Sequence, residues 1–402
     1  MKTSLKLFNL FNPINLPAAV FLLATSLPIP ALASTLVAWG ETSRPSGSPP
    51  SMTTNVPPGL IDAIAIAGGP DVGYALRSNG SVVTWGNPLT ASLSAVPPGL
   101  SDAIAIGSGA RHTLALHANG TVIGWGDDEY GATAAPALLG RVMALGVGDL
   151  HSVALRRNGT VVAWGDYTFG QATAVPVGLN DAVAIVAAHN YGLALRRNGT
   201  VVAWGGIYSP TNVSANVIVP PDLSNVVAIA GTAFTAFALR DDGTVYQWGT
   251  APLGPITGLT QISAICTSVS SGVLALKEDG TLVKTQPLLS PIPPGISNVV
   301  ALGGVGTPSI AMIRGPDEPF IIQHPQTQTV TAGAAASFHV AATAGQPLTY
   351  QWQFNGINLR GATQDTLSIK AAWPAQAGHY RTLVTAAGLT VASRPALLKM
   401  AP

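Results

Sequence analysis

Residues 154–165 read ALRRNGTVVAWG, and the same twelve letters return unchanged at residues 194–205. Two apolar runs flank Asn158-Gly159, and an Asn-Gly pair set between such runs is a strong short-range signal for a β-hairpin with a tight two-residue turn. The stretch is therefore a hairpin, and it belongs to a series. Its turn recurs as Asn79-Gly80, Asn119-Gly120, Asn198-Gly199, Asp242-Gly243 and Asp279-Gly280. The strand that follows usually closes on a Trp-Gly pair, at Trp85, Trp125, Trp164, Trp204 and Trp248, and a further pair stands at Trp39 with no hairpin before it. After Asp279-Gly280 the pair is replaced by Thr285-Gln286. A spacing of about 40 residues is that of propeller blades. A tryptophan repeated from unit to unit packs between units, so these six are expected to be structural.

The rest of each unit can be read in the same way. The loop after Trp-Gly, as in WGDYTFGQATAVP at residues 164–176, has a second half that reads as a return strand. A turn containing proline or glycine then leads into a strand of the AVAI type, a second loop, and a strand of the LAL type that feeds the hairpin. That predicts four antiparallel strands per unit. The central alanine of the LAL strand occurs at Ala75, Ala115, Ala154, Ala194, Ala238, Ala275 and Ala311, which makes seven units. STLVAWG, residues 34–40, is a last strand without a hairpin partner, and SIAMIRG, residues 309–315, is a third strand with nothing after it. Each supplies what the other lacks. The expected fold is all-β: a seven-bladed β-propeller over residues 34–316, closed by the N-terminal strand Thr35–Trp39, which removes two exposed sheet edges.

The two ends of the chain read differently. Lys2 and Lys6 precede an apolar stretch, and Ala31-Leu32-Ala33 has the small-x-small form of a signal-peptidase site, so residues 1–33 are expected to be a secretory signal. Pro17 and Pro28 interrupt the stretch, which is short for a membrane span. Removing it takes the 19 basic residues to 17 against 18 acidic ones, a net charge of −1 with no pull on a phosphate backbone. Nucleic acid is therefore not an expected partner. Cys266 is the only cysteine in the sequence, so the exported chain is held by packing and hydrogen bonds rather than disulfides. With 47% hydrophobic and 9% charged residues, the core is ample.

The phrasing AIAIGSGARHTLALHANGTVIGWGDDEYGA, residues 103–132, and its relatives resemble the repeats of the regulator of chromosome condensation, in the short form of secreted bacterial propellers that includes seven-bladed inhibitors of β-lactamase. The resemblance implies the propeller and, more weakly, inhibition of a secreted or periplasmic hydrolase. From Pro316 the pattern changes. PFIIQHPQTQTVTAG followed by YQWQFNG and QAGHY resembles a bacterial immunoglobulin-like domain, expected over residues 317–402 as a β-sandwich. That resemblance implies a core role for Trp352 and a tyrosine corner at Tyr380, with Val340 and Thr382 near the places of the usual cysteines.

Strand direction sorts the propeller loops into two faces. The loop after Trp-Gly and the loop before LAL share one face, which varies from unit to unit, while the other carries the repetitive hairpins. Variation on a fixed scaffold is where binding resides. The variable face holds the candidate binding residues Asp127, Asp128, Glu129, Tyr130, Asp149, Asp166, Tyr167, Phe169, Tyr191, Tyr208 and Phe234. Aromatic residues among acids form a recognition surface more readily than an active site. His112 and His151 hold equivalent places and read as turn-capping residues, not metal ligands. The run Asp127-Asp128-Glu129 lacks the glycine punctuation of a calcium loop, so no metal is expected. No nucleophile elbow, phosphate loop or metal-ligand spacing occurs, and no cofactor is expected. The expectation is a secreted or periplasmic monomer, not an enzyme, that binds a protein or glycan ligand. The alternatives are a carbohydrate-binding or cell-surface adhesion protein and, less favoured, an enzyme with an acidic site on the variable face.

Overall fold

A computed structural model describes residues 35–39, 54–69, 72–86, 93, 95–209, 212–249, 254–267, 272–285, 291–303, 309–315 and 317–401. The expected signal, residues 1–33, lies outside these. Among the described residues, seven antiparallel sheets follow one another along the first part of the chain. Sheet one holds Ala63–Gly69, Val72–Arg77 and Val82–Gly86. Sheet two holds Ala103–Ser108, His112–His117 and Val122–Gly126, and sheet three Val142–Val147, His151–Arg156 and Val161–Gly165. Sheet four runs Ala182–Ala187, Tyr191–Arg196, Val201–Ser209 and Asn212–Asn216. Sheet five has Val226–Gly231, Thr235–Arg240, Val245–Gly249 and Gly254–Pro255. Sheet six has Ile262–Thr267, Val273–Lys277 and Leu282–Lys284. In sheet seven Ser309–Ile313 is central, pairing with Val299–Gly303 on one side and with Thr35–Trp39 on the other, where Thr35 faces Ile313 and Trp39 faces Ser309.

The first strands lie side by side from sheet one to sheet seven, and that of sheet seven also lies beside that of sheet one. The core sits between sheets. Leu114 and Leu116 of sheet two, for example, pack with Leu145, Ala154 and Trp164 of sheet three. The alanine at the centre of every middle strand is fully buried in all seven sheets. All six Trp-Gly tryptophans are buried too. Three of them stitch backward: the indole N–H of Trp125 donates to the carbonyl of Leu93, that of Trp164 to Ala132 and that of Trp204 to Gln171, each in the loop that leaves the preceding sheet.

Two local expectations need correction. A fourth strand is present in sheets four and five, whereas residues 133–136 and 172–176 make no ladder with sheets two and three. Their donors turn inward instead: the amide of Ala134 bonds Gly131, those of Thr173 and Ala174 bond Gly170, and Pro136 and Pro176 have no N–H to offer. The hairpin is also not a two-residue turn with both residues left-handed. Gly159 has φ +82° and Asn158 is not among the residues of positive φ. The Gly159 amide donates to Arg156 at 2.9 Å, a three-residue loop ending on a left-handed glycine. Asn158 serves as an acceptor, its Oδ1 taking bonds from the Thr160 amide at 3.2 Å and hydroxyl at 2.8 Å.

This explains why aspartate replaces asparagine at Asp242 and Asp279, whose carboxylates accept the same pair of bonds from Thr244 and Thr281. Asn158→Asp should therefore be near neutral in a urea titration. Gly159→Ala should cost about 2 kcal/mol, because it combines a left-handed backbone with a Cβ only 2.3 Å from the Asn180 carbonyl oxygen. Equal costs for the two changes would show that the glycine does not constrain the turn.

Residues 317–401 form a second unit with its own core. Phe320–Gln323 pairs with Ala341–Thr343, and Ala336–His339 with Thr366–Ile369. A six-stranded sheet runs Gln328–Val330, Ala396–Met400, Gly378–Ala386, Thr349–Phe354 and Ile357–Asn358, with Leu389–Ala392 also on Gly378–Ala386. Phe338, Val340, Trp352, Tyr380, Val384 and Leu398 meet in the centre, where the Phe338 and Tyr380 rings stack at 4.8 Å. The Trp352 indole donates to Gln364 and the Tyr380 hydroxyl to the Gln376 carbonyl, so both buried polar tips are satisfied. Among the described residues no helix is long and apolar enough to cross a membrane.

Candidate functional site: the loop face of sheets two to five

Backbone bonds assemble this face within each sheet. The Asp127 amide donates to Arg111, that of Asp166 to Leu150 and that of Gly206 to Asn190, tying the loop after Trp-Gly to the loop before the central strand. At the other end Ala118 bonds Asp102, Arg157 bonds Arg141 and Arg197 bonds Asp181, which puts hairpins and proline turns together. The candidate residues therefore share an end of the sheets, although they do not share exposure.

Tyr167 is 72% exposed, Tyr130 43% and Phe234 37%, on sheets three, two and five. Asp128 and Glu129 are exposed, and Asp127 is half-buried. The acidic loop is internally braced: Asp127 accepts the Glu129 amide and Asp128 accepts the Thr133 amide. Arg111 adds a cation, its guanidinium lying 3.1 Å from Asp127 and 3.7 Å from Glu129. Phe169 is half-buried, its amide held by the Gln171 side chain. Asp149 pairs with His189 across sheets three and four, and that bond holds the imidazole above its ordinary range. Arg111 and His189 were not singled out from sequence. The signal for them was their place in the loops before the central strands, which lie on this face whatever residue they carry.

Two candidates belong to the interior instead. Tyr191 is fully buried, its hydroxyl donating to Thr235 of sheet five at 2.9 Å, and burial pushes that hydroxyl far up. Its ring fits because Gly231 opposite has no side chain: a Cβ there would stand 2.8 Å from the tyrosine oxygen. Asp166 is 5% exposed and occupied, accepting the Thr168 amide and hydroxyl and the Gln171 side-chain N–H. It shapes its own loop. The side chain of Tyr208 lies outside the described residues.

His112 and His151 do not cap turns. Each is the first residue of a central strand and fully buried. Ser152 Oγ donates to the Ala132 carbonyl, so it accepts from His112 Nε2 at 2.8 Å, which fixes that tautomer. The residue of sheet four equivalent to Ser152 is Gly192, which has no hydroxyl, and neither ring nitrogen of His151 has a partner. Burial first of all drives His112 down to about 4, and burial and then the neighbouring His112 drive His151 down to about 3. Both are neutral at pH 7. Burial likewise pushes the thiol of half-buried Cys266 up to about 12, which disfavours the reactive thiolate. Among the described residues, no three His, Cys, Asp or Glu side chains converge as a metal set.

Residues 103–132 and 144–171 match the family described as the regulator of chromosome condensation (RCC1) repeat. These spans cover sheet two and nearly all of sheet three, with the loops that leave them. The fold is similar to the crystal structure of Prp20p from Saccharomyces cerevisiae, with TM-score 0.56 and 15% identity over 72% of this chain and 93% of that one. It is similar also to yeast RCC1 (Prp20) crystallised with Kap60, with TM-score 0.55 and 14% identity over 79% of this chain and 95% of that one. A search of curated proteins gives no match. The chain is thus an all-β protein built on a β-propeller with RCC1-type repeats.

Proposed function

We propose that the chain is an exported, non-enzymatic binding protein, a seven-bladed propeller closed by Thr35–Trp39 whose loop face grips another protein. The carrying observation is the exposure of Tyr130, Tyr167 and Phe234, together with a braced acidic loop, at the one end of the sheets where the sequence does not repeat. Exposed aromatic anchors rimmed by polar groups make good interfaces. The solved Prp20p structure is described together with its binding to Gsp1p and histones, which supports protein binding for a propeller of this kind. Inhibition of a secreted or periplasmic hydrolase, such as a β-lactamase, is one form this activity takes. Residues 317–401 are read as an immunoglobulin-like sandwich, supported by buried Trp352 and by Tyr380 bonding the backbone four residues upstream.

The test is capture from the native secretome on immobilised protein, in wild type and in Tyr130→Ala/Tyr167→Ala. The double variant should bind its partner at least tenfold more weakly, since one such anchor contributes about 2 kcal/mol or more. Its melting temperature should not move, because the Tyr167 ring is 72% exposed. Recovery of the same proteins by both forms would rule out this face. The exposed Tyr167 ring also suits stacking on a sugar, and binding on a glycan array by wild type alone would favour the carbohydrate reading.

A further inference from the structure

The C-terminal unit lies against the hairpin face of sheets six and seven. Arg394 Nη1 donates to Glu278 in the hairpin turn of sheet six at 2.6 Å, and the Arg394 amide donates to His324 Nδ1 at 3.1 Å. Phe320 sits on the same turn, so close to Gly280 that a Cβ there would be 2.8 Å from its ring. Arg314, the residue after the central strand of sheet seven, pairs with Glu318 at 3.1 Å, donates to the Pro319 carbonyl, and lies 6.0 Å from the Phe320 ring centre. A cleft of about 250 Å³ between the units is walled by Leu276, Val299, Val300, Ile321 and Val391.

This contact falls where the repeat is weakest. The third strand of sheet six has three residues against five or more in sheets one to five, and it lacks Trp-Gly. Sheet seven is completed by a strand from the other end of the described chain, and Trp39 of that strand packs with Leu274, Leu276, Val299 and Ala311. Leu276 and Val299 thus belong both to the seam between sheets six and seven and to the wall of the cleft. Arg314 directly follows Ile313, which pairs with Thr35. Elsewhere consecutive sheets are joined by a continuous chain, whereas Thr35–Trp39 is held to its sheet by pairing and packing alone, so local opening should begin there.

We infer that the C-terminal unit is an intramolecular brace over this seam, holding sheet seven shut, and not a spacer. The inference rests on the reading that Thr35–Trp39 closes the propeller. Without the brace, the hairpin end of sheet seven opens more often and the N-terminal strand exchanges out.

Hydrogen exchange on the full chain tests this, comparing wild type with Glu278→Ala, Phe320→Ala, and the reversed pair Glu278→Arg/Arg394→Glu. Glu278→Ala and Phe320→Ala should each speed exchange in Thr35–Trp39 and Ser309–Ile313 at least tenfold. Exchange in His112–His117 and in Thr349–Phe354 should stay unchanged, and the reversed pair should restore protection. If the seam exchanges as slowly in both single variants as in wild type, the brace is overturned and the closure stands. If Thr35–Trp39 exchanges freely in wild type, the closure fails and the brace with it.

Discussion

Gly109→Ala should leave the protein unfolded or about 3 kcal/mol less stable. Gly109 is not left-handed, so the cost is not one of backbone preference. A Cβ at Gly109 would stand 1.9 Å from the carbonyl oxygen of Gly148, its counterpart in sheet three. The same approach recurs along the inner ends of the sheets: Gly69 toward the Gly109 carbonyl at 2.5 Å and Gly148 toward that of Ala188 at 2.4 Å. The obstacle is backbone, which no side-chain rotation relieves. Relief requires two sheets to part, and parting them loosens the packed alanines and leucines behind. Gly178→Ala is the control, since its φ is +81° and nothing lies within 4 Å of the added methyl. That change should cost only about 1 kcal/mol. If urea unfolding gives the two variants similar losses, the inner strands are free to spread and close axial packing does not limit this fold.

The hairpins, their order and the burial of the tryptophans were legible because each is set within about a dozen residues: a left-handed glycine, an acceptor side chain, an apolar strand ending in Trp-Gly. Return strands were less legible, since whether residues 172–176 join an edge depends on where their own turn bonds point. The candidate site divides along the same line. Tyr167 stands in a loop and Tyr191 opens the central strand of sheet four, both at places where the residue changes from unit to unit, yet Tyr191 is buried because sheet five offers Gly231 opposite it, a fact 40 residues away in sequence. His112 and His151 look identical in their motifs, and only the residue of the next sheet, Ser152 or Gly192, decides that one is bonded and the other is not. Periodicity reports what a unit does for itself. It is silent on what the neighbouring unit leaves room for.

Acidification from pH 7 to about 4.5 should reduce stability on the order of 4 kcal/mol, well before most carboxylates titrate. His112 and His151 are kept neutral by burial, at about 4 and about 3, while in the unfolded chain each titrates near the ordinary 6.5. Between those values the unfolded chain takes up protons that the folded one refuses, so stability falls with pH through that window and is level above it. His324, also lowered to about 4 by burial and Arg394, adds in the same direction. His189 acts oppositely: raised by Asp149, its contribution is complete below 6.5 and is lost as pH climbs through its folded value. Asp242, held below 3.8 by the Thr244 hydroxyl, matters only at lower pH still. His151→Leu isolates one group, because that ring has no hydrogen bond to lose. Its stability at pH 7.5 should equal or exceed that of wild type, and its acid limb should be shallower by one proton, about 1.4 kcal/mol per pH unit. An acid limb that overlays wild type would mean that His151 carries its proton inside the fold, and the seam between sheets three and four would then have to open to water at low pH.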